Sequence, residues 1–163
     1  MVILLMGTTG AGKTTVGTML ARELGSTFLD ADDFHPAANI EKMTKGIPLT
    51  DADRAPWLAG IHTELMRRSG LGENVVLACS ALKQKYRDLL SAGLNTKVVY
   101  LKGSYEQMLQ HIAGRHGHFA GSAILAGQFA DLEEPQDAIV VEVSKTPEEI
   151  VAEIRGRLQA SAR

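Results

Sequence analysis

The sequence predicts one α/β domain in which a parallel sheet of five strands lies between two layers of helices. Short apolar runs alternate along the chain with longer segments of helical periodicity, and this alternation is typical of parallel strands joined by crossover helices. The length of 163 residues, with 45% hydrophobic and 22% charged residues, fits a single ordinary globular domain. We therefore expect one three-layer domain over residues 1–163.

The five strands are predicted by their apolar composition. The first, "MVILLMG", is a continuous apolar run ended by glycine, which is typical of a central strand buried on both faces. The other four are "STFLDA", "NVVLACS", "KVVYLKG" and "AIVVEV". Each strand is followed by a segment that predicts a helix, so consecutive strands should run in the same direction.

Capping residues and helix-ending glycines mark the helices. The first helix should run from about Lys13 to Leu24, with Gly25 in the stop position. Pro36 suits the first turn of a short helix that ends near Lys45, because its missing N–H would be unpaired there anyway.

The later helices carry similar signals. "PLTDADRAPWLAGIHTELMRRSG" contains capping residues and then four apolar residues at helical spacing, Trp57, Leu58, Ile61 and Leu65. "LKQKYRDLLSAG" is helical, and Ser104 with Gln107 forms a capping-box pattern for a helix that ends near Gly114. The polar stretch "RHGHFAGS" leads to another helical segment, and "TPEE" caps the last helix.

Charge and composition exclude several classes of function. The net charge of −2 and the pI near 6.2 argue against binding to nucleic acid or to an anionic membrane, since either would favour a basic excess. No apolar run approaches the length of a membrane span. The single Cys79 cannot form an intrachain disulfide, which suits a reducing compartment. The expected location is the cytoplasm.

The strongest functional signal is "GTTGAGKT", Gly7 to Thr14, which matches the phosphate-loop pattern G-x-x-x-x-G-K-[ST]. It follows a buried strand and opens a helix, where backbone N–H groups and the helix N-terminus can hold phosphate. Lys13 should reach the β- and γ-phosphates of ATP, and the Thr14 hydroxyl should bind Mg²⁺. The alternative is a tight glycine-rich turn without a ligand. The expected nucleotide contacts are Gly7, Thr8, Thr9, Gly10, Ala11, Gly12, Lys13, Thr14 and Thr15.

Other motifs narrow the class of P-loop protein. The chain lacks the N-K-x-D motif with which GTPases read guanine, and its third strand ends in Cys79 and Ser80 instead of the usual Walker-B aspartate. A small kinase therefore fits better than a GTPase or a mechanical ATPase, and its carboxylates must come from another strand. "FLDADDFH" ends such a strand, and neighbouring strand ends meet at one crevice in an open α/β sheet.

Four segments resemble the gluconokinases, which belong to the P-loop group of small-molecule kinases. They are "GTTGAGKTT", "FLDADDFHPAANIEKMTKGIPLTDADRAPWL", "CSALKQKYRDLL" and "GHF…QFADLEEP". The resemblance runs from about Leu4 to Pro135, and its middle motifs separate the chain from the related shikimate kinases. The chain departs from the family at Ala120 and Gly121, where the family's lid often has Met-Pro.

The resemblance implies a P-loop NTPase fold like that of the nucleoside monophosphate kinases. It places a mobile lid over about residues 115–135 and substrate-binding helices over about residues 36–69. It also implies transfer of the γ-phosphoryl group of ATP to the 6-hydroxyl of D-gluconate, with Mg²⁺, usually by a homodimer. Two alternatives stay open: a shikimate kinase or other small-alcohol kinase, and a binding module gated by ATP without turnover.

The three aspartates of "FLDADDFHP" are interpreted by strand alternation, which places Asp30 and Asp32 on one side and Asp33 on the other. By similarity to related kinases, Asp30 would hold the waters of the metal, and Asp32 would orient or deprotonate the substrate hydroxyl. Asp33 is a candidate N-cap or hydrogen-bond acceptor before Pro36. In the alternative interpretation all three only cap the next helix, and the choice of base between Asp30 and Asp32 stays open.

Gluconate carries a carboxylate and five hydroxyls, so its site should offer a cation and several hydrogen-bonding groups. His35 could bind a hydroxyl. Arg54, Lys83 and Arg87 are the candidate cations, with Lys83 favoured over Arg87 because it lies nearer the strand end. The alternatives are a structural histidine for His35, a helix-start arginine paired with Asp51 or Asp53 for Arg54, and a solvated helix face for Lys83 and Arg87. Trp57 is interpreted as a core anchor.

The stretch "RHGHF" lies between two helical segments, where a lid would close over ATP. Arg115 could neutralise charge on the transferring phosphoryl group, the alternative being a solvent-facing arginine at a helix end. His118 and Phe119 are expected to help shape the closed site. His116 and His118 have no cysteine or carboxylate set that would complete a zinc site, so no zinc is expected.

Overall fold

The central sheet has five parallel strands, as the sequence predicted. The computed structural model describes residues 1–114 and 118–162, without the side chains of residues 118–120. The strands are β1 (Val2–Met6), β2 (Thr27–Asp30), β3 (Val75–Ala78), β4 (Thr96–Lys102) and β5 (Ile139–Glu142). Their spatial order is β2-β3-β1-β4-β5, and every neighbouring pair is parallel.

Seven helices and one short 3₁₀ turn connect and cover the strands within the described residues. The helices are α1 (Lys13–Leu24), α2 (Ala37–Thr44), α3 (Asp51–Gly70), α4 (Gln84–Ser91), α5 (Tyr105–Ala113), α6 (His118–Asp131) and α7 (Pro147–Ser161), and the 3₁₀ turn is Ala31–Phe34. The predicted capping boxes are present at the starts of α5 and α7, and a third one opens α3. None of these helices is long and apolar enough to cross a membrane.

The two faces of β1 build the two cores of the molecule. All five residues of this strand are buried, because it lies between β3 and β4. Ile3 and Leu5 join a cluster with residues of α1, α5 and α7 on one face. Val2, Leu4 and Met6 join a cluster with α3 and α4 on the other. Side chains therefore alternate between two helical layers, as expected for a doubly covered parallel sheet.

The helix α3 covers one face of the sheet through the four apolar residues that the sequence singled out. Trp57, Leu58, Ile61 and Leu65 are all buried. Burying one such side chain contributes roughly 1.5–3 kcal/mol to the free energy of folding. Trp57 of α3 donates a hydrogen bond to the Ala31 carbonyl, so this packing also fixes the position of the chain at the carboxyl end of β2.

The sheet order places three loops at one crevice. β1, β3 and β2 are neighbours, and all three point the same way, so the segments that follow them meet at the carboxyl edge of the sheet. The close approach of α1 to β2 depends on Gly17, since a Cβ at that position would lie 2.6 Å from the Phe28 ring.

Candidate active site

The loop after β1 has the geometry of a phosphate-binding loop. Gly10 and Gly12 adopt left-handed conformations, with φ of 85° and 87°, which glycine reaches without the cost that a side chain would add. Gly12 is the N-cap of α1 and offers no side chain to the first turn of that helix. The N–H groups of this turn are therefore open to an anion. The ammonium of Lys13 donates to the carbonyls of Gly7 and Thr8, at 2.8 and 3.0 Å.

Two distant side chains hold the phosphate loop. His111 of α5 lies with Nδ1 2.7 Å from the Gly10 carbonyl oxygen. Gln128 of α6 accepts a hydrogen bond from the Thr9 N–H, at 2.6 Å, across 119 positions of sequence. Neither residue was predicted as part of the site, because neither lies near the loop in sequence. Only the quoted "QFADLEEP" pattern contained Gln128.

A cavity of about 320 Å³ opens in front of the loop. Its lining combines the loop with residues from the ends of β2 and β3 and from α6: Thr9, Gly10, Gly12, Lys13, Thr14, Asp30, Asp32, Ala78, Cys79, Ser80, Ile124 and Gln128. The predicted phosphate loop and two of the three predicted carboxylates thus share one space. Burial raises the pKa of Cys79 to about 12, so this thiol stays neutral in the cavity wall.

The three aspartates lie in different surroundings, but strand alternation was the wrong reason. β2 ends at Asp30, and the chain turns into the 3₁₀ segment at once. Asp30 Oδ1 caps this turn by accepting from the Asp32 N–H at 3.0 Å, and Asp30 Oδ2 lies 3.5 Å from the Thr14 hydroxyl. Asp33 is exposed and has no hydrogen bond among the described residues, so the prediction that it is the cap is wrong.

Asp32 is a carboxylate with a raised pKa at the mouth of the cavity. Partial burial is the main cause, and the negative charge of Asp30 is the next. The positive charge of Lys13, and that of His35 when its ring is protonated, offsets part of this increase. A carboxylate whose charged form is disfavoured has a greater affinity for a proton, which is the property required of a general base.

The ring of His35 is held flat against Trp57. The two ring centroids lie 4.3 Å apart at an interplanar angle of 11°, and Trp57 Nε1 donates to the Ala31 carbonyl at 2.7 Å. The Asn39 amide nitrogen lies 3.3 Å from His35 Nδ1 and donates to the Asp53 carbonyl at 2.9 Å. Because the amide donates, Nδ1 accepts and the proton sits on Nε2.

Burial lowers the pKa of His35, so the ring is neutral at physiological pH. Trp57 is 6% exposed, which confirms its interpretation as a core anchor. The Trp57 indole therefore fixes two things at once: the carbonyl that precedes Asp32 and the plane of the His35 ring.

Three cations converge on Tyr86 at the start of α4. The Arg54, Lys83 and Lys85 charges lie 5.7, 5.9 and 5.7 Å from the centre of the Tyr86 ring. Arg54 donates to the Tyr86 hydroxyl at 3.1 Å, and that hydroxyl donates to Asp51. The structure thus brings Arg54 and Lys83 together, as a pair of substrate cations would require.

Asp51 is the counter-charge of this cluster. Its carboxylate accepts from Lys85 at 2.5 Å and lies 3.7 Å from the Lys83 ammonium. Hydrogen bonds from Lys85 and Tyr86 hold the pKa of Asp51 well below its usual range. Tyr86 and Lys85 were not predicted as site residues, since "KQKYRD" reads as a solvated helix face.

Arg87 has a different position from the one expected of a substrate cation. It is 2% exposed and does not line the cavity at the phosphate loop. Its guanidinium instead binds protein oxygens of the loop after β3 and of the segment after α6: Ala81 O, Leu82 O, Gln84 Oε1 and Glu133 O. It borders a separate cavity of about 490 Å³ that contains none of the predicted nucleotide residues. The structure therefore gives Arg87 protein partners, and its expected contact with substrate stays a prediction.

The predicted lid residues fall largely outside the described part of the chain. Arg115 and His116 lie outside the described residues, and so do the side chains of His118 and Phe119. His118 is the first residue of α6, and the same helix carries Ile124 and Gln128 to the cavity. The proposed roles of Arg115 and His118 stay predictions.

Comparisons with known proteins decide the family. The sequence model described as shikimate kinase matches residues 9–159. A protein of Xenopus tropicalis described as a probable gluconokinase is 42% identical over 97% of this chain and 93% of its own length. A gluconokinase of Gluconobacter oxydans is 43% identical over 97% of this chain and 91% of its own. The chain belongs to the gluconokinase family.

A solved member of the family has the same architecture. The crystal structure of a gluconokinase from Sinorhizobium meliloti is 39% identical and covers 99% of this chain and 97% of its own, with a TM-score of 0.85. This match confirms the predicted P-loop kinase fold. Membership of the family also means that the phosphate loop and the aspartates at the end of β2 lie in a fold used for phosphoryl transfer.

Proposed function

We infer that the protein is an ATP-dependent gluconokinase, which phosphorylates the 6-hydroxyl of D-gluconate and releases ADP. The single observation that carries this inference is the meeting of the phosphate loop, Asp30 and Asp32 in one cavity. Identity above 40% to gluconokinases over more than 90% of both chains supports gluconate as the substrate. We propose that the protein acts in the cytoplasm, which the single cysteine suits, and as a homodimer, which the family resemblance implies.

The proposed nucleotide contacts follow from the loop after β1. Backbone N–H groups of the loop and of the first turn of α1 face the cavity, where they can hold the β- and γ-phosphates of ATP. The Lys13 ammonium lies beside the loop carbonyls and is proposed to transfer its hydrogen bonds to these phosphates. Lys13 would then stabilise the charge of the transferring group, together with Arg115 of the proposed lid.

The residues beside the loop fit Mg²⁺. The Thr14 hydroxyl and the Asp30 carboxylate offer hard oxygen ligands next to the phosphate loop. No group of three histidine, cysteine or acidic side chains in the described residues could hold a metal ion alone. This suits an ion that binds phosphate and water and needs few protein ligands. Thr14 and Asp30, the latter through water, would hold Mg²⁺, which would neutralise charge on the phosphates of ATP.

Asp32 is proposed to accept the proton of the 6-hydroxyl. As the substrate oxygen forms its bond to the γ-phosphorus, the bond from that phosphorus to the ADP oxygen breaks, and the hydroxyl proton passes to the Asp32 carboxylate. The raised pKa of Asp32 favours this transfer. The His35 Nε2–H, fixed in plane by Trp57, is proposed to donate to a neighbouring hydroxyl of the polyol.

The carboxylate end of gluconate is proposed to bind Arg54 and Lys83. Both cations lie at the Tyr86 cluster, where the residues that follow β3 meet α3. His118 is proposed to complete the site from the lid, over residues 115–135, and residues 36–69 carry the other substrate contacts. A molecule with a carboxylate at one end and a primary hydroxyl at the other would connect these cations with Asp32.

A substrate panel tests this proposal. Purified protein is assayed for ADP release with ATP and Mg²⁺ in the presence of D-gluconate, other sugar acids, neutral sugars or shikimate. We expect turnover with gluconate well above the background hydrolysis of ATP. Turnover with shikimate alone would show a shikimate kinase. ATP binding without turnover on any substrate would show a regulatory binding module, and either result would overturn the proposal.

A further inference from the structure

The turn that follows β3 holds an alanine in an unfavourable conformation. Ala81 has φ of 43°, and it is the one non-glycine residue with positive φ in the described part of the chain. For an alanine this left-handed conformation is disfavoured by a factor of about 5 to 30. Ala81 is also 2% exposed, so water cannot satisfy its backbone groups. Other groups of the protein must therefore stabilise this backbone conformation and pair with its buried polar groups.

Arg87 supplies the hydrogen bonds that hold it. Nη1 donates to the carbonyls of Ala81 and Leu82, at 2.6 and 3.1 Å. Nη2 donates to Gln84 Oε1 at 3.0 Å and to the Glu133 carbonyl at 2.7 Å. The planar guanidinium can reach these oxygens together because its donors form a fixed fork, which a lysine ammonium cannot reproduce.

The segment after α6 closes the same arrangement from the other side. The Glu133 N–H donates to the Leu82 carbonyl at 2.8 Å, and Glu133 Oε1 accepts from the Gln84 N–H at 2.8 Å. With the Arg87 bond to the Glu133 carbonyl, three hydrogen bonds join residues 82–87 to Glu133. The turn is thus fixed both to α4 and to the chain that leaves α6.

The two ends of this turn lie at the cavity and at the proposed carboxylate site. Ser80, directly before Ala81, lines the cavity with Asp32. Lys83, two residues after Ala81, belongs to the cation cluster at Tyr86. A change of the Ala81 backbone from left-handed to right-handed would alter the path of the chain between these two residues, and with it the distance between the base and the carboxylate site.

We propose that Arg87 is a positioning residue for gluconate binding. It holds the Ala81 turn, and the turn keeps Ser80 and Lys83 at fixed positions relative to Asp32. This proposal rests on the proposed gluconokinase function. Arg87 touches neither substrate in this arrangement. Its effect is specific for the sugar acid, because the phosphate loop is held by other residues, His111 and Gln128.

The test is a pair of variants, Arg87→Lys and Arg87→Lys combined with Ala81→Gly. Arg87→Lys keeps the charge but loses the fork, so we expect the KM for gluconate to rise by about five- to thirtyfold while the KM for ATP changes by less than about twofold. Glycine adopts the left-handed conformation without that cost, so Ala81→Gly should restore most of the lost gluconate affinity. Ala81→Gly alone should leave both KM values near those of the native protein.

The matched control is Arg68→Lys. Arg68 is a partly buried arginine in the last turn of α3 that binds Glu64 and Glu73, at 2.7 and 3.0 Å. It belongs to the helices proposed to carry the substrate site, but it is not itself proposed to contact gluconate or ATP. Its substitution should lower Tm without separating the two KM values. Amide hydrogen exchange gives a readout independent of activity, since Arg87→Lys should accelerate exchange over residues 80–84, and Ala81→Gly should reverse this.

The outcomes separate the two proposals. If Arg87→Lys raises both KM values together, or lowers only Tm as Arg68→Lys does, then Arg87 is merely structural and the positioning role is wrong. Unchanged exchange over residues 80–84 would also overturn it, even if the native protein failed to phosphorylate gluconate. Failure of the native protein with gluconate contradicts the proposed function by itself.

A second variant serves if Arg87→Lys does not fold. Gln84→Ala, at an exposed position, removes one hydrogen bond of the same guanidinium and should shift the gluconate KM in the same direction.

Discussion

Asp32 and Asp33 are adjacent in sequence, yet only one of them faces the phosphate loop. Asp32 lines the cavity, and partial burial and the Asp30 charge raise its pKa. Asp33 is exposed and makes no hydrogen bond within the described residues. The pair is a natural internal comparison, because the same change of Asp to Asn removes one negative charge from the same turn in both cases.

Asp32→Asn should abolish transfer, and Asp33→Asn should not. Loss of a general base lowers kcat by about a hundred- to ten-thousandfold. ATP affinity should change little in either variant, because the nucleotide is proposed to bind the loop after β1. Steady-state kinetics with gluconate, together with ATP binding by calorimetry, measures both effects. Near-normal kcat in Asp32→Asn would show that the base is a different group.

The same substitution should also stabilise the protein at neutral pH. The pKa of Asp32 is higher in the folded chain than its ordinary value of 3.8, so the folded state holds this proton more tightly than the unfolded state does. The ionised Asp32 is therefore unfavourable to folding above its folded pKa. Asp32→Asn removes that penalty, which partial exposure to solvent limits, and should therefore raise Tm at pH 7.

This gain should disappear in acid. Below the ordinary pKa, Asp32 is protonated in both states, and the native protein and Asp32→Asn should have the same Tm apart from the difference between an acid and an amide. Thermal unfolding at several pH values measures the effect, with Asp33→Asn as the control. A lower Tm for Asp32→Asn at pH 7 would contradict the raised pKa.

At the scale of elements, α3 fixes the turn that carries the aspartates. The Trp57 indole donates to the Ala31 carbonyl and stacks on His35, so one side chain of α3 positions residues on both sides of Asp32. The capping box formed by Thr50 and Asp53 sets where α3 begins, and therefore where Trp57 lies. The substrate side of the site thus depends on how α3 packs on the sheet.

Trp57→Phe tests this dependence. Phenylalanine keeps an aromatic ring but leaves the Ala31 carbonyl without its donor, which should lower the free energy of unfolding by about 1–3 kcal/mol. Because the turn and His35 lose their anchor, the KM for gluconate should rise while the KM for ATP stays near its native value.

The control for Trp57→Phe is Ile61→Val, a core change in the same helix. It should cost about 0.5–1.5 kcal/mol and leave both KM values unchanged. Thermal unfolding and steady-state kinetics measure the two responses. A native gluconate KM in Trp57→Phe would mean that the indole serves the core alone.

At the scale of the whole molecule, local signals predicted the elements but not the contacts between distant ones. The strands and capped helices were predicted because apolar periodicity and caps involve neighbours in sequence. The path after Asp30 was not, because the chain leaves the strand for a 3₁₀ turn that alternation cannot describe. The bond from Thr9 to Gln128 joins residues 119 positions apart, and no local pattern encodes it.

The burial of Arg87 was likewise not predictable from the local sequence pattern. The pattern "KQKYRD" does not tell a buried arginine from its solvated neighbours, and only the tertiary structure shows that four protein oxygens surround the guanidinium. The G-x-x-x-x-G-K-[ST] pattern identified the phosphate loop, and the family resemblance identified the reaction. The structure adds how the two substrate sites are held: the phosphate loop by His111 and Gln128, and the turn after β3 by Arg87.

The identity of the product tests the central claim most directly, namely that Asp32 and the phosphate loop direct the γ-phosphoryl group of ATP to the 6-hydroxyl of gluconate. The measurement is the phosphorus–proton correlation NMR spectrum of the product formed from ATP, Mg²⁺ and D-gluconate. We predict one new phosphate ester whose phosphorus couples to the C6 methylene protons, and its absence when Asp32→Asn replaces the native protein. A phosphate ester at another carbon, or unconverted gluconate, would contradict the account.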